Sequence, residues 1–146
     1  MPREEPASIL VVEDNKADAD LVVDELMEAA AGVTVEVIGD GRAALKYLRD
    51  GHGRNGARRP DLVLLDLNLP GLGGFETLAE LKSDDQLRSV PVVVLTTSKS
   101  QREVNRGYEL GAAAVLNKPM RLADYRELLR AVACLWLEHA MLPRDP

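Results

Sequence analysis

Three stretches of the chain are short, unbroken aliphatic runs that end abruptly in polar residues. Ser8-Ile9-Leu10-Val11-Val12 stops at Glu13-Asp14-Asn15, Leu62-Val63-Leu64-Leu65 stops at Asp66, and Val92-Val93-Val94-Leu95 stops at Thr96-Thr97-Ser98. Runs this short, rich in β-branched residues and without polar alternation, predict strands buried on both faces. Two further segments have strand character. Val33 to Ile38 carries Thr34 and Glu36 on one side, as an edge strand would, and Ala113-Ala114-Val115-Leu116 stops at Asn117-Lys118-Pro119.

Helical patterns fill the intervals. Val22, Leu26 and Ala29 share a face of residues 15–31. Ala43, Ala44 and Leu48 do so in 41–50, and Phe75, Leu78 and Leu81 in 74–84. Val104, Tyr108 and Leu110 mark a helix from about 100 to 111, with Gly111 as its C-terminal cap. A last helix from Leu122 inward-faces Leu122, Tyr125, Leu129, Val132 and Trp136, and Asp124 in its first turn suits the helix dipole. Strand and helix thus alternate five times. That pattern predicts an α/β fold: a doubly wound, five-stranded parallel sheet with right-handed crossovers and the second strand at an edge. The glycines at 51, 53 and 56 predict a loop from Gly51 to Pro60.

In such sheets the functional crevice lies outside the carboxyl ends of the strands. Those ends carry Glu13 and Asp14, Asp66, Thr96, and Lys118. If the strand order is 2-1-3-4-5, the three carboxylates come from adjacent strands. They repel one another, and a divalent cation relieves the repulsion. Magnesium takes oxygen ligands and binds through one or two carboxylates plus a phosphate oxygen. A carboxylate is also a nucleophile toward phosphorus. The lysine ammonium and the threonine hydroxyl would stabilise charge on the transferring phosphoryl oxygens. Each residue alone is an ordinary polar strand end; the specificity lies in all five occurring in one chain.

These residues resemble the receiver domains of two-component response regulators. The matching segments are Val11-Val12-Glu13-Asp14-Asn15, Leu64 to Pro70 followed by Gly73-Gly74-Phe75-Glu76, Leu95-Thr96-Thr97-Ser98, and Asn117-Lys118-Pro119. The resemblance implies a flavodoxin-like receiver over residues 8–141, with tails at 1–7 and 142–146. It implies that Asp66 is phosphorylated and that Thr96 and Lys118 grip the phosphoryl group. It also implies that Glu13, Asp14, Asp66 and the Asn68 carbonyl bind Mg2+, Glu13 through water. The Lys118–Pro119 bond is cis in many relatives. The pattern departs from the family at Val115, where many receivers carry an aromatic residue, at Thr97, bulkier than the usual Ala or Gly, and at Gly73, where Asp is common. The long loop after the second helix and the chain beyond Trp136-Leu137 resemble the small regulators paired with bacteriophytochromes. That implies a sensor histidine kinase as partner.

Composition sets the remaining bounds. The 146 residues suit one domain, with 46% hydrophobic residues for a core. A net charge of −6 argues against a duplex DNA binder, although Arg54, Arg58 and Arg59 form a small basic patch. The sole cysteine, Cys134, is expected to be buried in the apolar run Val132 to Leu137. No signal region and no span of ~18 apolar residues occur, so a soluble, cytoplasmic protein is expected. Leu128, Leu135 and Leu137 make the last helix apolar beyond its inward stripe, which predicts a homodimer through that helix and the tail, with surface from the fourth helix and fifth strand. Two other readings stay open. A dehalogenase-type phosphatase would also pair an Asp nucleophile with magnesium, but it needs a second Asp two residues on, where Asn68 stands (Lys16 stands two residues after Asp14). A scaffold that has lost phosphorylation would use only the dimer surface. Neither His52 nor His139 is expected to belong to a cluster with metal-ligand spacing; both read as surface or helix residues.

Overall fold

The three apolar runs pair side by side. A computed structural model of the chain, describing residues 6–51 and 59–143, places β1 (Ser8–Val12) between β2 (Thr34–Ile38) and β3 (Leu62–Asp66). Beyond β3 come β4 (Val92–Thr96) and β5 (Ala114–Asn117), all parallel, in the order β2-β1-β3-β4-β5. The helices are α1 (Lys16–Ala29), α2 (Gly41–Gly51), α3 (Gly74–Ser83), α4 (Gln101–Glu109) and α5 (Leu122–Ala133), followed by a π-helical turn at Cys134–His139. The fold is therefore the expected doubly wound sheet, with β2 at one edge.

The absence of alternation in the central strands now has its reason. Successive side chains point to opposite faces, and both faces are covered. Ile9, Val11, Leu62, Leu64 and Val93 meet Val22 and Leu26 of α1 and Tyr125 and Leu129 of α5. Leu10, Val12, Val63, Leu65, Val92 and Val94 meet Ala44, Leu45 and Leu48 of α2 and Leu78 and Leu81 of α3. Fully burying each such side chain contributes about 1.5–3 kcal/mol. Asn15 caps α1 by accepting from the Asp18 N–H at 2.9 Å. Gly111 (φ +104°) closes α4 as expected: its N–H donates to the Tyr108 carbonyl, and the Ala112 N–H to Gly107, a Schellman closure.

Several expectations need correction. Cys134 is exposed, not buried. Ordinary helical spacing already sets it there, nine residues and so about 180° around the helix from Tyr125; the π turn that follows delays the inward stripe by one position. After Tyr125, Leu129, Val132 and Ala133 the next core residue is Leu137, while Trp136 is only partly buried against the core. Leu137 is thus interior, and Leu135, 55% exposed, is left outside. At the other end of α5, Leu122 precedes the packed stretch and is exposed. In α2 the inward residues are Ala44, Leu45 and Leu48, with Ala43 outside. In α4 the residue facing the sheet is Gly107, because a Cβ there would meet Val115 Cγ2 at 2.7 Å. Tyr108 accordingly lies at the rim, its hydroxyl accepting from the Val115 N–H at 3.2 Å. The Lys118–Pro119 bond is trans. Of the 51–60 loop, residues 52–58, including His52, Arg54 and Arg58, lie outside the described residues. Arg59 donates to Gln86 O, Ser89 Oγ and Pro143 O, pinning the C-terminal segment.

Tyr125 makes a small test of this packing. Among the described residues its hydroxyl is the buried side-chain polar atom without a hydrogen-bond partner, and burial pushes its pKa up to about 12. Removing an unsatisfied hydroxyl relieves a desolvation cost. Tyr125→Phe is expected to stabilise the protein by about 1 kcal/mol in urea unfolding. A loss of stability would show that the hydroxyl has a partner in solution.

Candidate functional site

The carboxyl edge of the sheet gathers the expected side chains. β1 delivers Glu13 directly and Asp14 one residue on, β3 ends on Asp66, β4 on Thr96, and β5 leads into Lys118. Glu13, Asp66, Thr96 and Lys118 are buried to 8% exposure or less, whereas Asp14 is exposed. Carboxylate oxygens of Glu13, Asp14 and Asp66 lie within 4.8 Å of one another. Lys118 Nζ spans them, donating to Glu13 Oε1 at 2.5 Å and Asp66 Oδ2 at 3.0 Å.

The loops hold this arrangement. Asp66 Oδ1 accepts from the Asn68 N–H at 2.9 Å, which orients the carboxylate. Asn68 Nδ2 in turn donates to Thr97 Oγ1 at 3.2 Å, joining the loops after β3 and β4. Thr96 Oγ1 accepts from the Ser98 N–H at 3.0 Å. Gly74 sits against the Asp66 carbonyl, where a Cβ would come within 2.8 Å, so α3 can start close beneath the acidic strand end.

Two participants were not foreseen from the sequence. Asp18 Oδ2 accepts from Lys118 Nζ at 3.3 Å. Its signal was its place in the first turn of α1, three residues after the Asn15 cap, which swings it back over the strand end. Asn117 Nδ2 donates to Thr96 O at 3.3 Å and Ser98 O at 3.0 Å, tying the end of β5 to the loop carrying the hydroxyl. No pattern in the sequence singled it out beyond its place beside Lys118.

The electrostatics follow from crowding in low dielectric. Burial, then the hydrogen bond with Asp66, pushes the Glu13 carboxyl up to about 8 despite the lysine. Burial also works against ionised Asp66, but hydrogen bonds with Glu13, the Asn68 N–H and Lys118 outweigh it and hold Asp66 below the usual range. Burial lowers the Lys118 pKa; Glu13 and Asp66 outweigh that and raise it. The pocket is an oxygen-rich, net-anionic cluster in which burial and crowding favour the protonated form of Glu13. That donor set fits a hard divalent ion.

A parallel doubly wound sheet, with an acidic, lysine-spanned pocket at the point where strand order reverses, defines the receiver class of switch. Comparison with known proteins agrees. Residues 9–130 match the response regulator receiver domain family, and the chain belongs to it. It is 40% identical to response regulator Rcp1 of Synechocystis over 138 residues, 94% of each chain. The structure of Mn2+-bound Rcp1 superposes with a TM-score of 0.88, covering 95% of this chain and 100% of that one. That of phosphorylated RcpA, a cyanobacterial phytochrome response regulator, gives 0.89 at 39% identity, covering 95% and 99%. The bacteriophytochrome response regulator AtBRR gives 0.70 at 37% identity, covering 96% and 99%. The protein is thus a two-component signalling protein, and its acidic pocket is a magnesium site.

A pH dependence follows. Metal binding needs the carboxylates ionised and displaces the Glu13 proton. Magnesium affinity is expected to rise between about pH 6 and 8 and to level off above, with Glu13→Gln flattening the rise. The metal-free fold shows the opposite sign. Because the folded Glu13 value lies above its unfolded 4.5, its contribution is full below pH 4.5 and is lost as pH rises toward 8. Asp66, depressed from 3.8, contributes above that value and loses its contribution at lower pH. Thermal melts with and without magnesium across pH 5–9 check both; a pH-independent magnesium shift would contradict the displaced proton.

Proposed function

We propose that residues 8–141 form one receiver unit in which Asp66 accepts a phosphoryl group from a phosphorylated histidine kinase. An Asp66 oxygen attacks phosphorus, the P–N bond breaks, and the histidine nitrogen leaves with the electron pair. The carrying observation is the Asp66 carboxylate, held by the Asn68 N–H on one oxygen and Lys118 on the other, beside two further carboxylates. Glu13, Asp14, Asp66 and the Asn68 carbonyl would hold Mg2+, which offsets negative charge between the carboxylate and the incoming phosphoryl oxygens. Lys118 is already within contact of Asp66 and would follow the phosphoryl oxygen. Thr96 would exchange its Ser98 N–H contact for donation to that group.

The protein is a stoichiometric acceptor rather than a turnover enzyme. The position an acid–base Asp would occupy is Asn68, and its side chain is engaged with Thr97. Likeness to RcpA and AtBRR supports a phytochrome-type sensor kinase as the donor. A kinase of that kind draws on ATP, which implies the cytoplasm. The test is intact mass after exposure to a phosphorylated histidine kinase with magnesium. One phosphoryl group gained with magnesium, and none gained when a chelator is present from the start, supports the reading; no gain from kinase or small donors favours the scaffold alternative.

The output runs through protein contacts. A two-fold dimer through α5 and the tail, with α4 and β5 alongside, is supported by exposed Leu135 (55%), Met141 (98%) and Tyr108 (50%). Val132, Ala133 and Leu137 are core residues, so cutting the chain after α5 begins would unfold it rather than report on a dimer. Leu135→Lys is the cleaner probe. It is expected to yield a folded monomer by light scattering where the parent is dimeric, and an unchanged dimer would remove this helix from the interface.

A further inference from the structure

We infer that the π turn after α5 is a second metal site, for a borderline-soft divalent cation such as zinc, held by Cys134, Glu138 and His139. The ligand atoms of these three exposed side chains lie within 4.8 Å of one another. The Cys134 thiol already lies 3.8 Å from Glu138 Oε2. In tetrahedral zinc sites the metal–ligand distances of ~2.0–2.3 Å put ligand atoms roughly 3.5 Å apart. Small rotamer changes of exposed side chains close that gap without disturbing the core.

The backbone explains why the third ligand converges. At 3.6 residues per turn, position i+5 lies about 140° around an α-helix from position i, so Cys134 and His139 would face apart. Here the chain takes the wider i→i+5 turn, closed by the Ala140 N–H donating to Leu135 O at 2.7 Å. That brings i+4 and i+5 together over i, so Glu138 and His139 both flank Cys134. The turn is anchored from inside by buried Leu137 and partly buried Trp136, so the ligands project from a fixed frame.

The donor set decides the ion. One sulfur, one imidazole nitrogen and one carboxylate oxygen suit zinc, whereas magnesium needs an all-oxygen set like that of the acidic pocket. Binding converts the Cys134 thiol to a metal-bound thiolate and releases its proton to solvent. Three protein ligands leave a fourth position for water.

Cobalt(II) added to the full chain, with excess magnesium filling the acidic pocket and a phosphine reductant, reads the site through thiolate-to-cobalt charge-transfer absorption. One equivalent should produce the band and zinc should bleach it. Cys134→Ser should abolish it. His139→Ala and Glu138→Gln should each weaken binding by at least the roughly tenfold that loss of a mere supporting partner costs. No band, or no displacement by zinc, overturns the site. So does an unchanged midpoint in His139→Ala, which would mean the thiol binds alone. A midpoint that moves with protein concentration also overturns it, because the ligands would then come from two copies.

Discussion

Asp66→Asn is expected to leave the protein at its unmodified mass after exposure to a phosphorylated kinase and magnesium, while the parent gains one phosphoryl group. The effect is complete because the substitution removes the attacking oxygen anion, not a supporting contact. The amide is nearly isosteric and can keep the oxygen that accepts from the Asn68 N–H, so the loop after β3 should hold its shape. It also removes one negative charge from the pocket and so weakens magnesium binding, which a titration would show alongside. Any phosphoryl gain in Asp66→Asn would move the acceptor elsewhere, with Asp14 the first position to examine, because its oxygen lies in the same cluster.

Lys118→Ala carries the second large effect, and it acts twice. In the metal-free protein Lys118 is the cation within contact of both Glu13 and Asp66, themselves 4% and 5% exposed. Removing one partner of a buried ionic cluster costs about 3–5 kcal/mol because the remaining charge stays buried and unpaired. With its pKa at about 8, Glu13 is already largely neutral at pH 7, so Asp66 is the charge chiefly left unpaired and the expected loss lies near the lower figure. Urea unfolding measures it, and magnesium should recover part of the loss by replacing the missing positive charge. The second effect is kinetic. Loss of one charge that stabilises the transferring phosphoryl oxygens is expected to slow acceptance by about 10²–10³. Stability and rate both near those of the parent would mean the lysine is neither structural nor catalytic. A planar guanidinium cannot mimic a point charge placed among three carboxylates, so Lys118→Arg should not restore the rate.

Glu25 shows how the two kinds of acidic residue differ. It is as buried as Asp66, yet it sits on α1 against Arg126 and Arg130 of α5, at 3.6 and 3.2 Å. Those arginines are half exposed or more, so the clasp keeps access to water and joins two helices. The pocket acids instead share one buried lysine between them. That shortage of positive charge is what makes them receptive to a cation.

The sequence by itself determined the strands and main helices, their order and the five strand-end members of the pocket. Unbroken aliphatic runs of four or five residues, too short for helices and rich in β-branched side chains, read as strands covered on both faces. Their polar ends can only lie at the sheet's rim, so Glu13, Asp14, Asp66, Thr96 and Lys118 were legible as one group. Tertiary structure alone decided three things. The opposite pKa directions of Glu13 and Asp66 depend on burial and on the partners each meets in the fold: burial and Asp66 push Glu13 up, while hydrogen bonds with Glu13, the Asn68 N–H and Lys118 hold Asp66 down. Asp18 and Asn117 joined the site through helix capping and loop pairing, which bring together residues 100 and 21 positions apart. And the phase of the last helix could not be read from periodicity. Side-chain spacing assumes one residue every 100°, and the π turn breaks that rule by a single residue, turning Leu137 inward in place of Trp136.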